Sequence, residues 1–249
     1  MLSQPLASEP GLAYSRRMSI WQKIGDVVDS GAGVVGTLLD RDTGFFAGIG
    51  DPAARRQVAF SVAMIALSAK MAKADGVVTG EEEAAFRNLF VLPRGEARNV
   101  DRLFDLAKRD VAGYESYAAR IAAIYGEDRE GLGDVIDGLF AIAKADGAVH
   151  DAEYAYLEHV ASIFGIVGAD FERIAARHVV TAEGDPYLIL GVERSMSFAE
   201  IRKHYRKLVA ENHPDKLIAR GVPEECIAIA TGRLAAINRA YERIEAERA

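Results

Sequence analysis

Between residues 55 and 180, apolar positions recur three and four residues apart. They group as Val62, Ile65 and Ala69; Val100, Leu103, Phe104 and Ala107; Tyr117, Ile121 and Ile124; Val135, Leu139 and Ile142; and Tyr154, Leu157, Val160 and Phe164. At 100° per residue each group falls on one helix face, so the pattern predicts a series of amphipathic helices. Phe86, Leu89 and Phe90 add another, giving six or seven in all. The period returns near the C-terminus. Ile201, Tyr205 and Leu208 share one face, with Arg202, Lys203, Arg206 and Lys207 opposite, and Leu234, Ile237, Tyr241 and Ile244 line the last helix. Between these two helices stands His213-Pro214-Asp215-Lys216. Proline disfavours α conformation in the residue before it, so the first helix ends there. Two amphipathic helices joined by a polar loop form an antiparallel hairpin. His213 and Asp215 are expected at its tip, followed by an extended loop over 217–225. The fold class is all-α.

Local signals fix several helix ends. Ser197 with Glu200 has capping-box spacing, and Met196 with Ile201 that of a hydrophobic staple. In the middle block, Lys73-Ala-Asp-Gly-Val-Val-Thr-Gly-Glu-Glu-Glu returns 71 residues later as Lys144-Ala-Asp-Gly-Ala-Val-His-Asp-Ala-Glu. Each copy follows one apolar helix and precedes another, which predicts a bundle with two related halves. Gly76 and Gly147 are free to take positive φ at the turn. Thr79 and Glu82 make a second capping box, while in the other copy Asp151 is expected to cap in place of His150. The divisions are therefore a disordered tail at 1–17, a glycine-rich segment at 18–54, a helical block at 55–180 and a helical unit at 185–249. The last is expected to fold alone, its apolar faces satisfying one another.

Composition narrows the function. The net charge of −7 splits into +1 for 185–249 and −8 for the rest, and an acidic body argues against a sequence-independent nucleic-acid surface. With Cys226 the only cysteine, no intramolecular disulfide or cysteine-based zinc cluster can form, which fits a reducing compartment. No run of 18 apolar residues occurs, and the N-terminal region does not read as a signal peptide, so a cytoplasmic location is expected. Met1 and Met18 both stand as candidate starts. Gly31-Ala-Gly-Val-Val-Gly36 satisfies the dinucleotide-binding spacing, but no strand precedes it and Asp40-Arg41-Asp42 interrupts the helix that should follow, so that reading is rejected. Nothing around Cys226 or any serine marks a nucleophile, and no enzymatic activity is expected.

The C-terminal unit resembles a J domain. The motifs that carry the resemblance come in order within about 65 residues: Asp185-Pro-Tyr-Leu-Ile-Leu-Gly-Val, Tyr205-Arg-Lys-Leu-Val, His213-Pro-Asp, and Ile237-Asn-Arg-Ala-Tyr-Glu-Arg-Ile. The block at 55–180, with its two Lys-Ala-Asp-Gly corners, resembles the TerB-like domain, and the combination is similar to the DjlA-like group of co-chaperones. The resemblance implies a partner of the DnaK type. Arg202, Lys203, Arg206 and Lys207 would steer and orient docking, and His213, Pro214, Asp215 and Lys216 would belong to the loop that triggers ATP hydrolysis. It also links the TerB-like block to divalent cations, with Asp75, Glu82, Asp146 and Glu153 as candidate ligands; no other cofactor is implied. Hard oxygen ligands suit such ions, but the same residues serve as turn and cap residues and each corner alone offers few carboxylates. An alternative function follows: a metal-responsive or tellurite/envelope-stress binding module. Many DjlA-like proteins carry a glycine-rich membrane anchor. Here charges break that stretch, so spanning is not expected; peripheral contact with the inner face of the inner membrane, self-association through small residues and a plain exposed linker all stay open. No Gly/Phe-rich or zinc-ribbon client site is visible, which leaves an unidentified client to the TerB-like block.

Overall fold

A computed structural model describes residues 49, 51–74, 97–109, 113–144, 147–179 and 184–248. All described elements are helical: α1 (Pro52–Ala74), α2 (Ala97–Arg109), α3 (Tyr114–Tyr125), α4 (Arg129–Ala143), α5 (Asp151–Ile163), α6 (Ala169–His178), α7 (Pro186–Leu190), α8 (Phe198–Glu211), α9 (Pro214–Arg220), a 3-10 turn (Glu224–Cys226) and α10 (Ile227–Glu247). The tail at 1–17, most of the glycine-rich segment, the first Lys-Ala-Asp-Gly corner and the Phe86–Phe90 pattern lie outside the described residues. No described helix is long and apolar enough to cross a membrane.

α1 to α6 form a bundle with α1 at its centre. Val58 to Leu67 of α1 are buried on every side, and α2, α3, α4 and α5 pack around that helix. A helix apolar all round is stable only when enclosed. The positions expected to face inward do so: Leu103, Ile121, Val135, Leu139, Leu157 and Val160 have no exposed surface. At the second corner Gly147 takes φ 114°, a value that strains any side chain, and Val149 packs against the core. One expectation there is corrected. His150, not Asp151, precedes α5, in extended conformation (φ −77°, ψ 156°), and its N–H donates to Glu153 Oε2 at 2.9 Å. With that N–H satisfied by a carboxylate three residues on, Asp151 is free to enter the first helical turn.

The C-terminal unit opens as its sequence dictates. Asp185 accepts the Tyr187 N–H at 3.0 Å, Pro186 occupies the first turn, where its missing N–H costs nothing, and Gly191 closes α7 in the left-handed region. Ser197 and Glu200 form the expected capping box on α8. Tyr187, Leu190, Ile201, Ile237, Ala240, Tyr241 and Ile244 make a small core, reinforced by Tyr205 and Tyr241 stacked at 4.0 Å.

Two expectations for this unit are overturned. Residues 214–220 form a helix rather than part of a loop, because Pro214 is at a helix start, the position where its fixed φ favours the helix. Nor are the unit's apolar faces mutually sufficient. Leu217, Val222, Cys226, Ile229 and Ala230 are buried in the core of the α1–α6 bundle. Close approach makes this packing specific. A Cβ at Gly138 of α4 would stand 2.9 Å from Met64 Sδ and 3.0 Å from Ile229 Cδ1, so the missing side chain admits α1 and α10 together.

Candidate functional site

The tip of the hairpin is built by an interruption. Asn212 ends α8, its N–H donating to the Leu208 carbonyl at 2.9 Å. His213 is extended (φ −64°, ψ 139°) as the residue before a proline must be, and α9 begins at Pro214. The His213 ring is turned back on the new helix: Nδ1 accepts the Asp215 N–H at 3.3 Å and lies 3.6 Å from the Asp215 carboxylate. An accepting Nδ1 puts the proton of a neutral imidazole on Nε2, which becomes the ring's donor. The side chains of His213 and Asp215 remain 55% and 86% exposed, and Lys216 beside them is exposed as well.

The approach to that tip is cationic. Arg202, Lys203, Arg206 and Lys207 are all exposed on α8, and Ile201 on the opposite face is fully buried. Lys207 lies 3.6 Å from Glu211, one turn on. Charges this exposed contribute little to stability and are disposed to act at long range.

A second charged group, which the sequence reading missed, lies behind the tip. Asp134 and Asp137 sit one turn apart on the buried side of α4. Arg233 of α10 donates from Nε to Asp137 Oδ2 and from Nη1 to Asp134 Oδ1, both at 2.7 Å. Arg220 of α9 donates to Asp134 at 3.2 Å and to Glu130 at 3.0 Å. Arg177 and His178, at the end of α6, meet Asp137 at 2.8 and 3.0 Å. Burial would push the Asp137 carboxyl up, but Arg177, Arg233 and His178 overrule it and hold the group well below the ordinary carboxylate range. Burial would lower Arg233 in turn, and Asp137 and Asp134 raise it instead. At 100° per residue Asp134 and Asp137 fall on the side of α4 away from Val135, Leu139 and Ile142, so the pattern reads them as solvent-facing, and their i, i+3 spacing is the one local signal.

Of the candidate cation ligands, Asp75, Glu82 and Asp146 lie outside the described residues. Glu153 is buried and caps α5. Among the described residues no three His, Cys, Asp or Glu side chains cluster as a metal site would require.

A helical bundle joined to a hairpin that presents a His-Pro-Asp tip beside a cationic helix is the architecture of a J-domain co-chaperone. Comparison with known proteins agrees. The family model described as tellurite resistance protein TerB matches residues 61–176, and the DnaJ domain model matches 185–248. The chain is similar to the co-chaperone protein DjlA of Vibrio cholerae, with 28% identity over 236 residues, covering 81% of this chain and 82% of that protein. The DjlA of Photobacterium profundum is also 28% identical, over 82% of this chain and 84% of its own. That of Coxiella burnetii is 43% identical over 60 residues, 24% of this chain and 22% of its own. No solved structure matches the chain. The protein is a DjlA-like J-domain co-chaperone with a TerB domain ahead of its DnaJ domain.

Proposed function

We propose that the protein recruits a DnaK-type chaperone and stimulates its ATP hydrolysis. Arg202, Lys203, Arg206 and Lys207 steer and orient the encounter, and His213, Pro214 and Asp215 deliver the trigger, with Lys216 at the edge of the same contact. The observation that carries this reading is the joint exposure of the tip and the cationic face, both of which stay open although the bundle packs against residues 217–233 just behind the tip. Both surfaces are open to a partner without any rearrangement. Opposite charges raise the association rate and set register more than they add affinity, which suits an encounter that must end in each cycle. In this reading the chemistry takes place on the partner, so the chain is not an enzyme and needs no cofactor, and it works in the cytoplasm.

Single-turnover ATP hydrolysis by DnaK, with wild type and His213→Gln at equal concentration, tests the proposal. The substitution is expected to abolish stimulation, while stability changes by at most about 0.5 kcal/mol, as for other exposed sites. Undiminished stimulation by a folded His213→Gln protein overturns the reading.

A further inference from the structure

Asn212, the residue immediately before the His-Pro-Asp tip, is tied in two directions. Its Nδ2 donates to the Leu208 carbonyl at 2.8 Å, closing the last turn of α8. Its Oδ1 accepts from Arg233 Nη1 at 3.2 Å. That same nitrogen donates to Asp134, and Arg233 Nε donates to Asp137. A continuous chain of hydrogen bonds therefore runs from two carboxylates of the TerB domain, through one guanidinium, to the backbone that carries His213.

This chain is stiff. Arg233 is 5% exposed and Asp137 not at all. A guanidinium is planar, and its donors leave in fixed directions. With Nε and Nη1 each committed to a different buried carboxylate, the plane cannot turn without giving up a charge-assisted hydrogen bond in low-dielectric surroundings, where such a loss is costly. The position of Asn212 Oδ1 is thereby set from the far side of the domain junction. The aromatic contacts that join α8 to α10, Tyr205 and Phe198 on Tyr241, lie on α8 two or more turns before Asn212 and do not replace this restraint.

On the reading that the tip activates a DnaK-type partner, we infer that Asn212 and Arg233 are positioning residues for the His-Pro-Asp loop. Through them the TerB domain, by way of Asp134 and Asp137, holds the loop in its working geometry. None of the four touches the partner. The TerB domain is then part of the activating machinery itself, and not only a neighbour that brings clients.

The test uses the full-length chain titrated into single-turnover DnaK hydrolysis, which yields both maximal stimulation and the half-saturating concentration. Asn212→Ala leaves Arg233 paired with both aspartates and all four α8 cations in place. Maximal stimulation is expected to fall about tenfold, equivalent to about 1.4 kcal/mol and typical of a lost hydrogen bond to a charged group, with the half-saturating concentration unchanged. Asn212→Asp restores the acceptor for Arg233 but not the donor to Leu208, and should regain most of the stimulation. Asp134→Asn, made on the TerB side, should lower the maximum by a smaller factor with the same half-saturating concentration. The inference is overturned if Asn212→Ala keeps the wild-type maximum. It is equally overturned if only the half-saturating concentration moves, which would make Asn212 a docking contact, or if Asn212→Asp fares no better than alanine, which would make it a mere cap of α8. His213→Gln in the same titration separates the two levels: loss there with a normal Asn212→Ala overturns the positioning role alone, while a normal His213→Gln overturns the activating function on which it rests.

Discussion

Arg202, Lys203, Arg206 and Lys207 stand in solvent on α8, whereas Arg220 and Arg233, on the two helices that follow, are set against Asp134 and Asp137 of α4. The residue types are similar and the physics opposite. An exposed ion pair is worth between nothing and about 1 kcal/mol, so the α8 cations add little to stability and, on the function proposed above, serve for what they attract. A buried one must offset a desolvation penalty of several kcal/mol per ion and does so here with short, directed bonds at 2.7 Å. Apolar side chains in place of these charges could also have packed there, as Leu217 and Ile229 do beside them, but would have added no directional bond between the two domains. Two carboxylates one turn apart accept few alignments. The comparison separates a surface that recognises from a junction that registers.

The junction is the place to break this distinction first. Arg233→Met leaves Asp134 with Arg220 alone and Asp137 with Arg177 and His178, and is expected to cost up to about 3–5 kcal/mol, the range for removing one partner of a buried pair. Urea unfolding of the full chain measures it, and wild-type stability in the variant would show that the pair carries no register. Leu217→Ala comes next, at about 2–5 kcal/mol for a buried leucine. Leu217 is remote from the small core of the C-terminal unit and belongs to that of the bundle, so the loss should appear in the unfolding of the TerB domain.

Acid sharpens the same contrast. The native Asp137 carboxyl is held below the ordinary value of about 4 that it regains on unfolding. Its contribution is therefore complete above about pH 4 and drains away as pH falls from there toward the native value. Unfolding free energies measured below pH 4 should decline more steeply in wild type than in Asp137→Asn. The smallest effect on stability is expected at the exposed end. Arg206 and Lys207 reversed together to glutamate should shift the unfolding free energy by no more than about 0.5 kcal/mol. DnaK stimulation should nevertheless fall, and the wild-type interaction should weaken between low and high salt as exposed charges are screened.

What could be read in advance follows the same division. Asp185-Pro186, the Ser197/Glu200 box and His213-Pro214 act within a few residues of themselves, so the local sequence contains the reason for the structure. The tip and the cationic face were legible for that cause. α9 was not, because a proline that ends one helix can also begin the next, and only tertiary packing of Leu217 decides between loop and helix. The Asp137–Arg233 bond was invisible for a different reason. Its partners are 96 residues apart, and each alone reads as an ordinary surface charge on an amphipathic helix.

The burial of Leu217, Val222, Ile229 and Ala230 in the bundle also orders events in time. A ribosome delivers α1 to α6 well before these residues emerge, and domains generally fold as units from the N-terminal end. This bundle cannot finish on that schedule. Its core keeps an open apolar flank against α1 and α4 until the J domain arrives to fill it, and Gly221, where a Cβ would collide with Arg56 Cβ, marks how closely the late segment must settle on the early one. The nascent chain therefore exposes, while the J domain is being made, the kind of surface that chaperones bind. A protein made to direct a chaperone passes through a stage in which it has the features of a client.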